Sequence, residues 1–417
     1  MAFCGLDFGT SNSTFGYTKA GKATLAALEN GKITLPSALF YNFDSNDVFY
    51  GREGIEEYVD GEFGRLIRSL KSVLGTPLMH DKTMIQGKSV AFTDIISNFI
   101  AEMKKRAEAS SGEVFDQVVM GRPVFFVDGD AAADQSAQDA LEAAAKKAGF
   151  KDVVFQYEPI AAALDYEQSV TKEEVALIVD LGGGTSDFSI VRISPEKAKS
   201  HDRRQDILST GGVHIGGTDF DRKLSLHSVM PHFGYRSPYK DDPKMEMPIA
   251  YHHDLATWHK IHFLYDKETI AGLKSLAMRM EKRPLVERLV RLIEEKEGHR
   301  LAIGVEQVKI DLTAAENSTL LLDYVDNDLA LNIAQVDLYK AIEKDVVRIS
   351  DHLKRTVANA GIELSGITKI FMTGGSTAIP LVRETVMNLF PGVEMVDGDR
   401  FGSVGVGLAV DAKRRFC

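Results

Sequence analysis

Two short stretches of this 417-residue sequence combine an aspartate with glycines and hydroxyl side chains, a set suited to binding phosphate and a metal ion. The first is DFGTS at 7–11, and the second is DLGGGTSD at 180–187. Because glycine has no side chain, the second turn can bring its backbone N–H groups close to an anion. Mg²⁺ prefers oxygen ligands and keeps several waters, so Asp7 and Asp180 suit its water shell beside phosphates. The two stretches predict a site for phosphate and Mg²⁺.

Two further glycine turns each precede a helix-like segment. Gly374-Gly375-Ser376 follows an apolar run, and the amides and dipole at a helix N-terminus suit an anion or a ribose phosphate. Gly216-Gly217 opens another helix. There, an N-capped helix start and a ligand contact are both open interpretations.

The elements that must position these turns alternate between strand-like and helix-like runs, which is typical of an α/β fold. Strands are predicted at 2–6, 118–120, 175–179 and 370–372. Apolar periodicity predicts a helix over 337–359 and another that starts at Pro284 and ends at Gly298. The segment 231–269, rich in Tyr, His, Pro and Asp, is predicted to be irregular surface structure.

An internal repeat connects the two aspartate turns. GLDFGTSNSTFGY near the start and IVDLGGGTSDFSIV near residue 180 both read as strand, aspartate, glycine turn and strand. Two such β-hairpins predict a duplicated domain whose turns face one cleft.

Composition excludes several classes of protein. The net charge of −11 disfavours nucleic acid and membrane as partners, and no apolar stretch is long enough for a membrane span. The first residues leave no room for a signal peptide, so a cytoplasmic location is expected. Cys4 and Cys417 offer neither a disulfide framework nor metal-ligand spacing. The histidines of YHHDLATWHKIHF fit no zinc pattern and are expected on a surface helix.

In the order of these motifs, the whole chain resembles the ATPase domain of the DnaK-type heat-shock chaperones, within the actin and sugar-kinase superfamily. DFGTS and DLGGGTSD resemble its two phosphate loops, YEPIAAALDY its connector and TGGSTAIP its adenosine loop. LKSVLG resembles the segment with the catalytic lysine, IGGTDFD the start of the second outer subdomain, and EQVKIDLT the adenosine-side helix. The likeness is greatest to short bacterial homologues of the YegD type.

The resemblance implies an α/β, actin-like ATPase fold with two lobes, each with a duplicated ribonuclease-H-like core, and with the nucleotide in the interlobe cleft. The lobes would be 1–173, with an outer subdomain at about 36–115, and 174–417, with an outer subdomain at about 217–302. Because the sequence ends just after the last ATPase helix, no peptide-binding domain is expected.

Site residues follow from the same resemblance. Asp7 and Asp180 would hold the waters of Mg²⁺, and Lys71 would reach the γ-phosphate and the attacking water. Glu158 and Asp187 would complete the water network, and Thr185 would join the catalytic set. The expected ATP or ADP contacts are Gly9, Thr10, Ser11, Asn12, Gly182, Gly183, Gly184, Thr185, Gly216, Gly217, Glu306, Lys309, Thr313, Gly374, Gly375, Ser376 and Ala378.

The adenine contacts depart from the family pattern. Two arginines sandwich the base in DnaK-type chaperones, but Ile310 and Ala378 stand at the matching positions here. A guanidinium stacked on a base contributes roughly 0.5–2 kcal/mol, so adenine affinity should fall, and base selectivity is open.

Three functions are compatible with these motifs. The first is a chaperone-like protein that slowly hydrolyses ATP and switches lobe closure. The alternatives are a small-molecule kinase and a filament-forming actin-like protein. Lys71 in its segment, IGGTDFD and GGSTAIP favour the first, and no carboxylate base for a kinase substrate is identifiable. No protein partner or co-chaperone can be named from the sequence.

Overall fold

The computed structural model describes residues 3–19, 21–127, 129–167, 169–197, 200–396 and 402–416. Residue 2, the first of the predicted strand 2–6, and Cys417 lie outside these ranges. The chain forms two compact units. The first unit comprises Met1–His214, Asp351–Thr377 and Val386–Cys417, and the second comprises Ile215–Ser350 and Ala378–Thr385. The predicted division into lobes at residue 173 stays a prediction.

The strands are, in chain order, β1 (Cys4–Asp7), β2 (Asn12–Lys19), β3 (Lys22–Leu25), β4 (Thr34–Pro36), β5 (Ala38–Asn42), β6 (Val48–Tyr50), β7 (Gly64–Arg68), β8 (Lys82–Ile85), β9 (Lys88–Ala91), β10 (Gln117–Arg122), β11 (Asp152–Tyr157), β12 (Glu174–Leu181), β13 (Ser186–Ile193), β14 (Ile207–Val213), β15 (Asn317–Leu321), β16 (Ala330–Ala334), β17 (Lys369–Thr373) and β18 (Glu394–Val396).

The α-helices are α1 (Arg52–Val59), α2 (Phe92–Ser111), α3 (Ala131–Lys147), α4 (Glu158–Glu167), α5 (Gly217–Leu224), α6 (Ala250–Leu255), α7 (Lys267–Arg279), α8 (Arg283–Glu294), α9 (Gly298–Asp311), α10 (Gln335–Asn359), α11 (Pro380–Leu389) and α12 (Ser403–Phe416). Short 3₁₀ helices lie at Leu70–Val73, Pro77–His80, Arg204–Asp206, Met230–Phe233, Trp258–Tyr265, Leu364–Gly366 and Gly375–Ala378. A π-helical turn, Ser225–Val229, continues α5. In the described part of the chain, no helix combines the length and apolarity needed to cross a bilayer.

Two sheets of the first unit repeat one topology. The first has the order β11-β10-β1-β2-β3, with β4 added to β2, and the second has the order β18-β17-β12-β13-β14. Each central strand, β1 or β12, pairs parallel with one neighbour and antiparallel with its hairpin partner. The outer strands repeat the same directions. The predicted duplication is confirmed, and it extends to five strands in each sheet.

One apolar core joins the two sheets. Strands β10 and β12 contribute Val119 and Ile178, and the helices α4 and α12 contribute Ile160 and Leu408 to the same buried cluster. Because burial of these side chains removes apolar surface from water, the cluster fixes α4, and with it the first residue of α4, Glu158.

The predicted helix over 337–359 is confirmed as α10, and its apolar stripe is buried along its length. Two other predictions were wrong. Helix α8 ends at Glu294 rather than at Gly298, because Lys296 adopts the left-handed conformation and Gly298 begins α9. The segment 231–269 contains α6 and the start of α7, and its His252 is fully buried rather than on the surface. Among the described residues, no group of three or more His, Cys, Asp or Glu side chains could hold a metal ion.

Candidate active site

The two predicted phosphate turns lie against each other in the first unit. Residues 8–11 join β1 to β2, and residues 182–185 join β12 to β13. A Cβ atom on Gly183 would lie 2.1 Å from Ser11 Oγ, so a side chain at this position would collide with the first turn. Within the second turn, the Gly182 N–H donates to the Thr185 carbonyl oxygen at 2.9 Å. A side chain at 183 would therefore displace the Ser11 hydroxyl, whereas glycine lets the two turns touch.

Two buried serines hold the first turn in place. The Gly9 N–H donates to Ser13 Oγ at 3.2 Å, and Ser37 Oγ donates to the Gly9 carbonyl oxygen at 2.6 Å. The two hydroxyls lie 2.9 Å apart, and the Ser37 N–H donates to the Ser11 carbonyl oxygen at 2.9 Å. Sequence analysis missed both serines. Ser13 lies in β2, whose six inner residues are all buried, and a buried polar side chain normally has a partner; that was the only local signal.

Lys71 and Glu158 form an ion pair beside the turns. Lys71 lies in the 3₁₀ helix Leu70–Val73, which begins after Ser69 in the left-handed conformation. Its Nζ is 2.5 Å from Glu158 Oε1, and the two side chains are only 11% and 16% exposed. Burial lowers the pKa of Lys71, but the charges of Glu158 and Asp7 more than offset this, and the pKa is raised overall. Lys71 is therefore a fixed cation at neutral pH.

Asp7 and Asp180 complete a cluster of carboxylates around this lysine. Burial raises the pKa of Asp7 to about 7, and the charge of Glu158 adds to the shift while that of Lys71 opposes it. Burial also raises the pKa of Asp180 to about 7, with further contributions from Asp187 and Glu158. Both carboxylates thus carry their negative charge at a cost in free energy, which a bound cation would relieve.

Thr185 and Asp187 lie at the end of the second turn. Thr185 Oγ1 donates to Asp187 Oδ2 at 2.8 Å. On the neighbouring strand β14, a Cβ atom on Gly212 would lie 2.8 Å from Asp187 Oδ1. Glycine at 212 therefore leaves the space that the Asp187 carboxylate occupies.

The third glycine turn packs against the second. Gly374 has a φ of +79°, and a Cβ atom there would lie 2.3 Å from the Leu181 carbonyl oxygen and 2.8 Å from Asp180 Oδ1. Ser376 Oγ donates to the Gly182 carbonyl oxygen at 3.5 Å. The first unit therefore brings together all three of these predicted turns with Lys71 and Glu158.

Other predicted site residues belong to the second unit. Lys309 Nζ is 2.7 Å from Asp221 Oδ1 and donates to the Gly217 carbonyl oxygen at 3.3 Å. The Gly216 N–H donates to Asp219 Oδ2 at 3.1 Å, which is the bonding of an N-capped helix start. These contacts fix the start of α5 against α9.

The adenosine-side positions of α9 are more exposed. Thr313 Oγ1 donates to the Ile310 carbonyl oxygen at 2.8 Å, and the Glu306 side chain faces solvent. Ile310 itself is 49% exposed. The nucleotide contacts predicted for Glu306, Lys309, Thr313 and Ala378 stay predictions.

The sequence matches a family model described as "Hsp70 protein" over residues 3–247 and 289–413. It is 26% identical over 430 aligned residues to a "Chaperone protein HscA homolog" of Shewanella piezotolerans, with 98% of this chain and 58% of the relative covered. It is 25% identical to the homologue of the same name in Shewanella denitrificans, with 98% and 58% covered. The chain thus spans about 58% of the length of these curated relatives.

Proposed function

We propose that this chain, which belongs to the Hsp70 family, binds ATP with Mg²⁺ at the glycine turns of its first unit and slowly hydrolyses it to ADP and phosphate. Proteins of this family are ATPases that use these ligands. One observation carries the proposal. The two phosphate turns touch at Ser11 and Gly183, and Asp7, Asp180 and the Lys71–Glu158 ion pair lie beside them.

The two turns supply the groups that phosphate needs. Backbone N–H groups and hydroxyls at Thr10, Ser11 and Asn12 would contact the phosphates from one side. Gly182–Thr185 would contact them from the other, with glycine allowing close approach of the backbone. The Ser13 and Ser37 hydroxyls keep the first turn in one conformation, so little conformational entropy is lost when the phosphates bind.

The donor set fits Mg²⁺. Asp7 and Asp180 are two carboxylates rather than a complete ligand cage, and Mg²⁺ usually takes one or two carboxylates and retains waters. Both side chains are poorly solvated, so a cation would stabilise their charged forms. When bound, Mg²⁺ would offset phosphate charge and help to orient the γ-phosphate.

The remaining side chains have roles in the transfer step. The Lys71 ammonium would stabilise negative charge that develops on the transferred phosphoryl group. Glu158 and Asp187 would accept hydrogen bonds from the attacking water and orient it. Glu158 already holds Lys71, so one ion pair positions both groups.

The test is phosphate release by the wild-type protein with ATP, with and without Mg²⁺. We expect slow, Mg²⁺-dependent turnover, and we expect Asp180→Asn to lower kcat on the order of 10²-fold while changing nucleotide affinity far less. Asp44→Asn, on an exposed loop of the same unit, is the matched control. Wild-type release no greater than the buffer blank would leave a nucleotide-binding module without ATPase activity.

The relatives' name motivates a second part of the proposal. Because the chain resembles proteins called chaperones over 58% of their length, we propose that its ATPase cycle switches it between two conformations, as in a chaperone-like cycle. Limited proteolysis with Mg²⁺ and either ATP or ADP would test this, with Asp180→Asn used to keep ATP intact. Identical cleavage patterns in the two nucleotides would contradict the switch.

A further inference from the structure

A buried cluster of charges lies at the opposite end of α4 from Glu158. It consists of Glu167, Arg203 and Asp206, which are 2%, 1% and 1% exposed, and we call it the clamp. Glu158 and Glu167 are the first and last residues of α4. At 1.5 Å of rise per residue they are about 14 Å apart along the helix axis. The clamp is therefore outside the active site but on the same rigid element.

The hydrogen bonds of the clamp hold its side chains in fixed orientations. Arg203 donates from Nη1 to Glu167 Oε2 at 2.7 Å and from Nη2 to Glu167 Oε1 at 2.8 Å, which is a two-pronged pair. Its Nε donates to Asp206 Oδ2 at 2.6 Å. Lys197 Nζ lies 3.0 Å from Asp206 Oδ1, so two cations balance two anions. A planar guanidinium bonded at three nitrogens fixes the orientation of both carboxylates.

The clamp attaches α4 to the end of β13. The Ser194 N–H donates to Glu167 Oε1 at 3.0 Å, and Arg203 Nη2 donates to the Arg192 carbonyl oxygen at 3.4 Å. Strand β13 begins at Ser186, directly after the second phosphate turn. Helix α4 and strand β13 thus both start at the active site and both finish at the clamp.

A second set of hydrogen bonds connects His201, two residues before Arg203, to the first sheet. Arg415 Nη2 donates to the His201 carbonyl oxygen at 2.8 Å. Arg415 Nε donates to the fully buried Asp411, whose carboxylate also accepts from Gln156 Nε2 at 3.0 Å. Gln156 lies in β11, two residues before Glu158. The segment that carries Arg203 is therefore bonded directly to β13, which contains Asp187. Through Arg415 and Asp411, it is also connected to β11, which ends at the residue before Glu158.

Stability alone is a weak reason for such a cluster. The desolvation of buried ions offsets most of their attraction, and well-packed apolar side chains of similar volume often stabilise a fold equally well. What an apolar cluster lacks is a fixed hydrogen-bond direction. Phosphoryl transfer depends on positioning, and a displacement of 1 Å can lower a rate about 10²-fold.

We propose that Arg203 is a positioning residue for ATP hydrolysis, which sets Glu158 relative to Asp187 by clamping the far ends of α4 and β13. The inference rests on the proposed function, since it assigns a role in that reaction. It predicts an effect on kcat without an equal effect on nucleotide affinity, because the phosphate turns keep their own hydrogen bonds.

The test compares Arg203→Lys with Arg204→Lys. The first variant keeps the charge and loses the two-pronged pair, whereas Arg204 is the exposed neighbour and serves as the control. We expect Arg203→Lys to lower kcat at least about tenfold, with Mg²⁺-ADP affinity by calorimetry within about threefold of wild type. Arg204→Lys should match wild type in both.

Amide hydrogen exchange gives a readout that needs no hydrolysis. In Arg203→Lys, and in the apolar variant Glu167→Leu/Arg203→Met/Asp206→Leu, the amides at 158 and 160–163 should exchange faster than in the wild type. Unchanged exchange there, or unchanged kcat despite faster exchange, would overturn the proposal. If the wild type has no turnover, the proposed function fails, and the exchange result alone decides whether the clamp positions α4.

Discussion

At the scale of single residues, the candidate site holds more negative charge than the ligand-free protein can solvate well. Asp7 and Asp180 both have pKa values of about 7, raised first by burial. Lys71 opposes both shifts, but it is already paired with Glu158. The uncompensated charge is a local cost that a bound cation removes. Such a cost is expected where a site is arranged for a ligand rather than for stability.

Lys71 should affect rate more than binding. In Lys71→Ala, the loss of one electrostatic donor should lower kcat by roughly 10²–10³, while nucleotide affinity should stay within a few-fold because the glycine turns are untouched. Single-turnover kinetics and calorimetry with Mg²⁺-ADP measure the two quantities. Lys88→Ala, an exposed lysine of β9, is the control. Equal turnover in Lys71→Ala and wild type would mean that the lysine has only a structural role.

Base selectivity is also a question of single side chains. Ile310 and Ala378 stand where the resemblance places two stacking arginines, so apolar contact and shape alone should hold the purine. Phosphate and ribose contacts should then supply most of the binding free energy. Affinities for ADP and GDP should differ by less than about tenfold, or about 1.4 kcal/mol.

Restoring one arginine provides the complementary measurement. Ala378→Arg should favour adenine and tighten ADP by a few-fold, within the range of a cation–π contact. Calorimetry with both nucleotides compares the variant with the wild type. A wild-type preference for ADP of several orders of magnitude would show that other residues recognise the base.

At the scale of elements, the position of α4 depends on close helix packing as well as on the clamp. A Cβ atom on Gly407 of α12 would lie 1.8 Å from the Ala161 carbonyl oxygen of α4. At the next residue of α12, a Cβ atom on Gly5 of β1 would lie 2.3 Å from Leu408 Cβ. Glycines thus let α12 lie directly on both α4 and β1, and the active-site end of α4 is fixed by backbone proximity.

Gly407→Ala should therefore be costly. The added methyl group would have to move α12 away from α4, and overpacking of this kind costs about 1–3 kcal/mol of unfolding free energy. Gly272→Ala is the control, because Gly272 lies inside α7 with its nearest neighbour 3.9 Å from the added Cβ. That change should raise stability by about 0.5–1 kcal/mol through helix propensity. Chemical denaturation measures both, and an undiminished stability of Gly407→Ala would contradict the packing argument.

Local sequence signals predicted the elements that carry chemistry better than those that support them. The hairpins around Asp7 and Asp180 follow from an aspartate, a glycine turn and two apolar runs, all within a few residues. The side chains that hold these hairpins and α4 in place do not follow from local sequence. Ser37 reaches the first turn across 28 residues, and Arg203 reaches Glu167 across 36. No periodicity records such long-range pairs, and the end of α8 was misplaced because Lys296, a non-glycine residue, adopts the left-handed conformation.

At the scale of the whole molecule, the shifted pKa values of three buried groups predict opposite pH responses in the two units. The first unit contains Asp7 and Asp180, whose pKa values rise from 3.8 to about 7 on folding. The folded form therefore binds more protons than the unfolded form between these values. In the absence of ligand, the stability contributed by these groups is present below pH 4 and is lost as the pH rises through 7.

The second unit contains His252, for which the sign is reversed. Burial lowers the pKa of this histidine from 6.5 to about 4, although its hydrogen bond with the Phe233 carbonyl oxygen at 3.0 Å opposes the shift. His252 Nδ1 has no hydrogen-bond partner in the described part of the chain, so protonation there would bury an unpaired charge. Stability from the neutral imidazole is present above pH 6.5 and is lost as the pH falls through 4. The segment 248–288, which holds His252, lies between the two parts matched by the family model.

These opposite signs predict that acidification separates the unfolding of the two units. Between pH 8 and pH 5, without nucleotide or Mg²⁺, the slowest-exchanging amides of the first unit should gain protection relative to those of the second. Over this range, the difference in unfolding free energy between the two units should change by about 1–3 kcal/mol. Two variants assign the effect. Asp180→Asn should stabilise the first unit at pH 8 and have little effect at pH 5. His252→Gln should reduce the loss of stability in the second unit at pH 5, whereas His262→Gln, at an exposed histidine of the same unit, should not. Parallel changes of protection in both units, in the wild type and in both variants, would show that these buried groups do not control the response.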